Sequence, residues 1–549
     1  MGDVKKMKAK VVRPAGKGKA TLWALLITLA FAAASFYVTL PALNLHDPAF
    51  YSFFFVCALV YCVVSAIANG LLKKEPKEAW DGLKKSCKPA LFVCAAMVVV
   101  LLVGSVLGSV LLRAKSYTGL LDVRTGDFAA DVEEISFDKI PMLDKDSAQR
   151  LGDRKLGELS DMVSQFEVND DYSQINYNSR PVRVATLRYG DFFKWINNMG
   201  EGLPAYIIID MTTQNAEVVR LSEGMKYGTS EHFGRNLMRH LRFSYPTYMF
   251  EQCNFEIDDQ GNPWWVCPRM VKTIGLFGGT DVDGAVLVNA VTGESVYYSS
   301  AEIPNWIDRV YSAELIIQQY DYYGRYRAGY LNSMFGQKDV TVTTDGYNYI
   351  AMNDDVYVYT GVTSVGGDES NIGFILCNQR TKEADFYPCA GAEEYSAMDS
   401  AKGVVQHLGY TATFPLLLNI SGQPTYFMSL KDNAELVKMY AMVNVRQYNI
   451  VATGATLAEC ESNYVKLLSL NGVADVGPTI DMAEGVIADI RTAVVEGNSW
   501  YYFRLQGDDF YYSISAAACE RAVILSVGDR VTILPAQTTG DIRAAADIQ

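Results

Sequence analysis

TLWALLITLAFAAASFYVTLPAL, residues 21–43, contains no Asp, Glu, Lys or Arg. Two further runs of the same kind follow, 49–72 and 90–112. Each is long enough to cross a hydrocarbon core of ~30 Å, which needs about 20 residues of helix. The sequence therefore predicts three transmembrane helices within residues 21–112. The first run is too long, and too closely followed by a second, to be a cleaved signal peptide.

The flanking loops predict an orientation. The N-terminal tail carries KKMKAKVVRPAGKGK (5–19), and KKEPKEAWDGLKKSCK (73–88) joins the second and third runs. Asn44 to Pro48, between the first two, has no Lys or Arg. Positive charge stays on the cytoplasmic side. Residues 1–20 are thus expected to form a basic cytoplasmic tail of a multi-pass plasma-membrane protein. Residues 113–549 are then extracytoplasmic, although Arg113 and Lys115 oppose this weakly. Intramembrane charges mark conduction or proton paths, and the three runs have none. Gly104-Ser105 and Gly108-Ser109 form a small-xxx-small pattern that packs helices closely. It is read either as packing among the spans or as a homo-oligomer contact through them.

Residues 1–112 carry a net +8, whereas the whole chain is −14, which leaves −22 for residues 113–549. Binding of nucleic acid relies on neutralising phosphates, so nucleic acid is excluded as a partner. The lipid bilayer is the one partner the sequence names outright.

Beyond the membrane the expected class is α+β. Residues 113–180 read as a connector, with a helix over 147–166 and a polar loop over 169–180. Residues 181–300 read as a first α+β unit. It has strands at 181–188 and 205–211, helices at 191–199 and 231–241 (Ser230 as N-cap), and a polar link between. A hairpin over 245–266 turns at Asp258–Asn262, and a strand pair over 284–298 turns at Thr292-Gly293. Asp and Gly tolerate such turns. Residues 301–475 read as a long helix (303–335), a strand region (338–390) and a second unit. Hairpin turns are expected at Thr344-Asp345-Gly346 and Arg380-Thr381-Lys382. Short strands over 484–535 suit a small closed barrel of the OB or SH3-like kind. Residues 536–549 read as a disordered tail.

The helix, hairpin, strand and TGE turn of residues 230–299 resemble the PepSY domain family. The matching residues are Gly261, Pro263, Trp265, Val266, Val288, Ala290, Thr292, Gly293 and Glu294. A second copy is read near 400–450. There His407-Leu408 answers His240-Leu241, Gly422-Gln423-Pro424 answers Gly261-Asn262-Pro263, and Val443-Asn444 answers Val288-Asn289. PepSY-like units resemble modules that bind or inhibit partner proteins, especially peptidases, so the resemblance implies an envelope protein or peptide partner. Stretches such as QYDYYG, FGQKDV and DDVYVYTGVTS also resemble a group of large, functionally uncharacterised membrane proteins of Gram-positive bacteria.

Chemistry is sparse. No H-E-x-x-H, G-x-S-x-G, Walker A or dinucleotide G-x-G-x-x-G pattern occurs. No catalytic, cofactor-binding or metal residue is nominated, and no cofactor is expected. His240 and His407 read as structural helix-end residues, and His232 with His240 makes at most two ligands. Asp258-Asp259, Asn353-Asp354-Asp355, Asp368-Glu369 and Asp508-Asp509 read as solvated turns. Cys253–Cys267 and Cys377–Cys389 are the nominated disulfides, with buried free thiols as the alternative; an outside location would permit bridges. Trp264-Trp265, Tyr320–Tyr326 and Trp500–Phe503 read as core. The expected role is therefore that of a non-enzymatic membrane-anchored envelope protein that binds, scaffolds or regulates a partner. The alternative is an envelope hydrolase using two acids from the Arg380, Lys382, Glu383, Glu393, Glu394 stretch.

Overall fold

Three helices, α1 (Lys17–Thr39), α2 (Pro48–Ala68) and α3 (Pro76–Leu107), are long and apolar enough to cross a membrane. Pro41 follows α1 closely, and a residue before proline avoids the helical region. Asp47 caps α2 by accepting from the Ala49 N–H at 2.8 Å, with Pro48 in the first turn, where its missing N–H costs nothing. In this computed structural model the described residues are all except 1–16, 72–74, 135–139, 353, 367–369, 474–482, 496–497, 517–518, 536–540 and 549. Most of the basic tail, with Lys73, Lys74 and Asp368-Glu369, therefore lies outside them. The 73–88 segment read as a loop is helical from Pro76, and α3 carries Pro89 inside it. The third run stops at Gly108 rather than Leu112, and α4 (Val110–Thr118) departs from there.

The small residues of α3 receive a hairpin from the large domain, not another span. A Cβ on Gly104 would lie 2.8 Å from the Phe277 ring, and one on Gly108 2.9 Å from the Ile274 carbonyl. The 40–47 loop is bound to the same domain. The Leu43 N–H donates to the Pro246 carbonyl (2.8 Å), Asn44 Nδ2 to Thr247 (2.9 Å), and Arg242 Nε to Leu40 (3.0 Å). His46 Nδ1 lies 2.8 Å from the Leu276 carbonyl. The large domain thus shares one side of the bundle with this loop.

Beyond α4 the chain builds four antiparallel sheets with one strand order. In each, two short strands pair with the same edge of a long strand, and two more strands follow outward. Sheet A comprises β2 (Phe166–Val168), β3 (Ser173–Tyr177), β4 (Arg180–Tyr189), β5 (Leu203–Asp210) and β6 (Ala216–Met225). Sheet B comprises β7 (Met249–Phe250), β8 (Asn254–Ile257), β9 (Pro263–Ile274), β10 (Gly278–Asn289) and β11 (Ser295–Ser299). Sheet C has β12 (Thr341–Thr343), β13 (Asn348–Met352), β14 (Asp355–Ser364), β15 (Ser370–Asn378) and β16 (Ala384–Ala392). It also gains β1 (Val123–Thr125), parallel to β16. Sheet D has β17 (Thr411–Ala412), β18 (Leu416–Ile420), β19 (Gln423–Lys431), β20 (Val437–Asn444) and β21 (Val451–Gly454).

The likeness extends to single hydrogen bonds. The residue after the fourth strand donates its N–H to the carbonyl opening the third: Met211 to Pro181, Ala290 to Pro263, Gln379 to Val356 and Val445 to Pro424, all at 3.0–3.1 Å. The side chain ending the fourth strand organises the following turn. Asp210, Asn289 and Asn378 each accept two backbone N–H groups, and Asn444 accepts that of Gln447. Such Asx turns need a residue tolerant of positive φ further on, and Gln214, Gly293 and Lys382 supply it.

Each sheet takes a helix. α6 (Lys145–Gly157) packs on A, α8 (Leu237–Ser244) on B, and α10 (Glu394–Val404) lies between C and D; α11 (Leu457–Leu470) covers the far face of D. α9 (Ala313–Tyr326) is wedged between B and C, where Leu315, Ile316 and Tyr320 meet Val266, Leu287, Val358 and Ile375. Two short helices, α5 (Phe128–Asp131) and α7 (Phe192–Asn198), complete the set. Both faces of the inner sheets are therefore buried, so their strands read as continuous apolar runs.

Several expectations change. The 113–180 connector supplies α4, β1, α5, α6, β2 and β3. The 147–166 helix stops at Gly157, and the 169–180 loop contains β3, which pairs with β4. The polar link before residue 231 is β6. The next helix begins only at Leu237, capped by Asn236 rather than Ser230 (3.3 Å to the Arg239 N–H), because Phe233 adopts positive φ. The long helix shrinks to α9, since buried Glu256 ties down the preceding segment by accepting the Asp308 and Arg309 N–H groups at 2.9 and 3.1 Å. Thr344–Gly346 is not a hairpin: β12 and β13 both pair with β14, so the segment steps along one edge. Residues 301–475 hold two sheets rather than one unit and a strand region.

At the C-terminal end β22 (Ala483–Val495), β23 (Asn498–Leu505), β24 (Tyr511–Ser515), β26 (Ile542–Ile548) and β25 (Arg530–Pro535) pair in that order, and β25 closes onto β22. The tail read as disordered thus supplies a strand.

Candidate functional site

The four sheets converge on a cavity of about 700 Å³. Each contributes the same part, its second short strand and the facing stretch. Ser173, Gln174 and Arg183 come from A, Cys253, Asn254 and Phe255 from B, Asn348 and Tyr349 from C, and Leu416 and Phe427 from D. Pro141–Asp146 closes one wall and Arg309, Ser312 and Glu314, before and at the start of α9, another. Ligand cavities span roughly 300–1,000 Å³.

One equivalent position differs between repeats: both of its residues line the cavity in A, only the short-strand residue does in B and C, and neither does in D. Counting two residues from the carbonyl that opens each long strand, and taking the residue opposite, the pairs are Phe255–Trp265 in B, Tyr349–Val358 in C and Leu417–Tyr426 in D. In A the pair is Gln174–Arg183. Arg183 is 7% exposed and Gln174 1%. A buried polar group normally has a hydrogen-bond partner, yet Arg183 Nε and both amide atoms of Gln174 have none within the protein. Arg309 Nε and Glu251 Oε2, on the same cavity, also lack one.

Burial pulls the Arg183 guanidinium down to about 10, Tyr349 opposes this, and the like charge of Arg309 adds to it. Asp144 and Asp146 act on it only through space. Asp144 is otherwise engaged, since it caps α6 through the Ser147 N–H and pairs with Lys431. Arg309 lies over the Tyr349 ring, 5.2 Å from its centroid. Burial raises the Glu251 carboxyl against the Ser312 hydroxyl, which donates to it at 2.6 Å, while Glu314 raises it further. Glu314 accepts from the Tyr347 hydroxyl at 2.6 Å. The cavity therefore offers three cations, Lys145, Arg183 and Arg309, an amide with donor and acceptor free, and a carboxyl with a free oxygen.

The residues nominated from sequence lie elsewhere, Cys253 excepted. Gly261 and Gly422 occupy equivalent turns with φ of +80° and +70°, and Pro263 and Pro424 open equivalent strands. His240 and His407 do not correspond. His240 is half-buried in α8, lowered by burial and packed on Tyr227, whereas His407 is exposed in a 3-10 turn after α10. His232 sits between Phe192 and Trp195, outside α8. All ten cysteines are free. The Cys267 thiol is pushed up by burial and by the adjoining Cys253 thiol, so these two are neighbours. The Cys377–Cys389 pairing does not fit: Cys377 faces Ala384 in the B–C core, while Cys389 lies beyond Pro388 in the C–D core.

The acidic stretch is structural. Arg380 holds Asp355 through two bonds (2.7 and 2.6 Å), Lys382 pairs with Asp281 at 2.6 Å, and Glu383 lies 3.7 Å from Arg124. Buried Glu394 accepts from the Gly361 N–H and the Thr344 hydroxyl. Among the described residues no three His, Cys, Asp or Glu side chains gather as a metal set. The sequence signal for the candidate site was Arg183, a charge placed between apolar residues in the strand PVRVATLR, well inside the ends marked by Arg180 and Arg188. No family model matches the chain, and no curated protein matches it.

Proposed function

We propose that this chain is a membrane-anchored binding protein of the cell envelope, whose ligand site is the cavity between the four sheets. The observation that carries the reading is the Gln174–Arg183 pair, buried, with Arg183 Nε and both Gln174 amide atoms lacking protein partners, where the other repeats carry only aliphatic or aromatic side chains. Leaving such groups unsatisfied costs about 1–3 kcal/mol each, more for a charge, and a bound partner repays that cost. In this reading the N-terminus is cytoplasmic and residues 113–549 are outside, as the basic loops argue. Sheets B and D are the PepSY-like units, residues 484–535 form an OB or SH3-like barrel, and the role is to bind or regulate a peptide or protein without chemistry on it.

Protease protection tests the placement. The large domain should be digested in intact cells stripped of wall and protected in inverted vesicles; the reverse result moves it to the cytoplasm. The alternative, an envelope hydrolase, draws on Glu251, whose carboxyl is raised beside Glu314. Raised acids in a cavity are a catalytic signature. Under that reading E251Q abolishes turnover of a ligand that still binds, whereas under the binding reading no ligand is turned over at all.

A further inference from the structure

The internal repeat supplies its own control for what the cavity binds. Three units fill the paired position with Phe–Trp, Tyr–Val and Leu–Tyr, so the fold does not need a charge there. Unit A places a guanidinium at that position, with Arg309 close enough to feel its charge. Two guanidinium groups sharing a buried space form an oxyanion site, because planar N–H forks match the geometry of carboxylate and phosphate.

The rest of the lining narrows the choice. Gln174, opposite Arg183, has both a free donor and a free acceptor, the complement of one peptide group. Glu251 Oε2 is a free acceptor half-buried on the same cavity and suits an N–H or ammonium donor. Asp144, Asp146, Asp171, Glu251 and Glu314 outnumber Lys145, Arg183 and Arg309 around the space, which disfavours a multiply charged anion such as phosphate.

We infer that the cavity binds the free carboxyl end of a short peptide, its carboxylate between Arg183 and Arg309, its last amide against Gln174 and its amino end toward Glu251. The inference rests on the binding reading above and names its ligand.

The test uses the full chain in detergent, with thermal shift and calorimetric titration. The probes are Ala-Ala-Ala, its C-terminal amide and inorganic phosphate. Ala-Ala-Ala should bind saturably and raise the melting midpoint; the amide should bind at least ten-fold more weakly, and phosphate should not compete. R183M should lose at least ten-fold in affinity while still melting cooperatively, and Q174L should lose affinity for tripeptide but not discrimination against the amide. Equal binding of the amide, or displacement by phosphate, overturns the peptide-carboxylate assignment and leaves a cavity ligand of another class. No response to any probe, together with no loss of thermal response to a cell-wall peptide digest in R183M, overturns the cavity as a binding site altogether.

Discussion

Replacing Arg183 with methionine should stabilise the ligand-free protein. Burial brings the guanidinium down to about 10. At about 1.4 kcal/mol per tenfold change in proton affinity, the charged form is worse off in the cavity than in water by roughly 3 kcal/mol. The sign follows from linkage: a base whose folded proton affinity is depressed destabilises the fold throughout the range in which it stays charged. The full cost is therefore present at neutral pH and begins to fade only as pH climbs past about 10, towards the ordinary arginine range. Methionine keeps the unbranched stem and removes the charge, and apolar replacement of buried ionic groups is often neutral or stabilising by 1–4 kcal/mol. With an unfolding entropy of ~2.1 cal/mol/K per residue, the sheet stack should melt roughly 3–4 °C higher. Differential scanning calorimetry on the detergent-solubilised chain reads this directly. A midpoint that falls by several degrees would mean that Arg183 is satisfied in the free protein, and the reasoning that makes the cavity a site would collapse.

Three further outcomes follow from other parts of the molecule. G104L should drive a side chain into the Phe277 ring, which already sits 2.8 Å from where a Cβ would be; overpacking of this kind costs about 1–3 kcal/mol, and limited proteolysis should then cut at residues 274–278, whereas an uncut hairpin would show that Gly104 does not dock it. Melting midpoints should fall between pH 5 and pH 8, because burial raises Glu256 to about 7 and Glu461 to about 8 and raises Asp308 as well. Acids with raised folded affinities bind more protons folded than unfolded, so stability is lost as pH climbs through that window; E461Q should flatten part of the slope, and a midpoint rising with pH contradicts the assignment. Mild oxidation of the purified chain should join Cys253 to Cys267, seen by peptide mapping, and never Cys377 to Cys389; recovery of the latter cross-link would contradict the register of β15 and β16.

What could be read from the sequence was local. The apolar runs gave the spans, and Gly-, Pro- and Asn-bearing turns gave most of the hairpins, because one residue's φ and one side-chain acceptor decide such turns. The Gly422-Gln423-Pro424 correspondence was legible for that reason, as was Asn289 with Asn444. The A and C repeats were not, since their turns replace glycine by Ser179 and Asp354 at positive φ and each keeps only one of the shared letters, Pro181 in A and Asn378 in C. The 303–335 helix misled because Tyr-rich apolar spacing persists where a buried carboxylate, Glu256, holds the backbone out of helix. The site was hidden for a different reason: residues 174, 183, 251 and 309 meet only when three separate elements pack, and no spacing in the chain encodes that.

The repeat also explains why the site lies in unit A and not elsewhere. In B, C and D the long-strand member of the pair packs into a hydrophobic cluster, Trp265 in the A–B core, Val358 beside α9 and Tyr426 beside α10, so it holds an uncharged aromatic or aliphatic side chain there. Unit A shares a core with B, with β3 and β4 against β8, and its edge strand β3 also touches β13 and β14 of C. An edge meeting three neighbours cannot be packed flush against all of them, so space remains at their junction. Polar residues are tolerated there only if something pairs with them. B, meanwhile, is fixed to α3 through its 274–278 hairpin and to the 40–47 loop. Ligand binding at the junction would therefore pull A, C and D against a sheet already anchored to the membrane. The ordered response to a ligand is then expected in the A–D wall at residues 141–146, where Asp144 ties α6 to Lys431 of D. Hydrogen exchange over that segment, slowed by Ala-Ala-Ala in the native chain and unchanged in R183M, is the observation that would connect the cavity to the rest of the stack; equal slowing in both would place the bound peptide elsewhere.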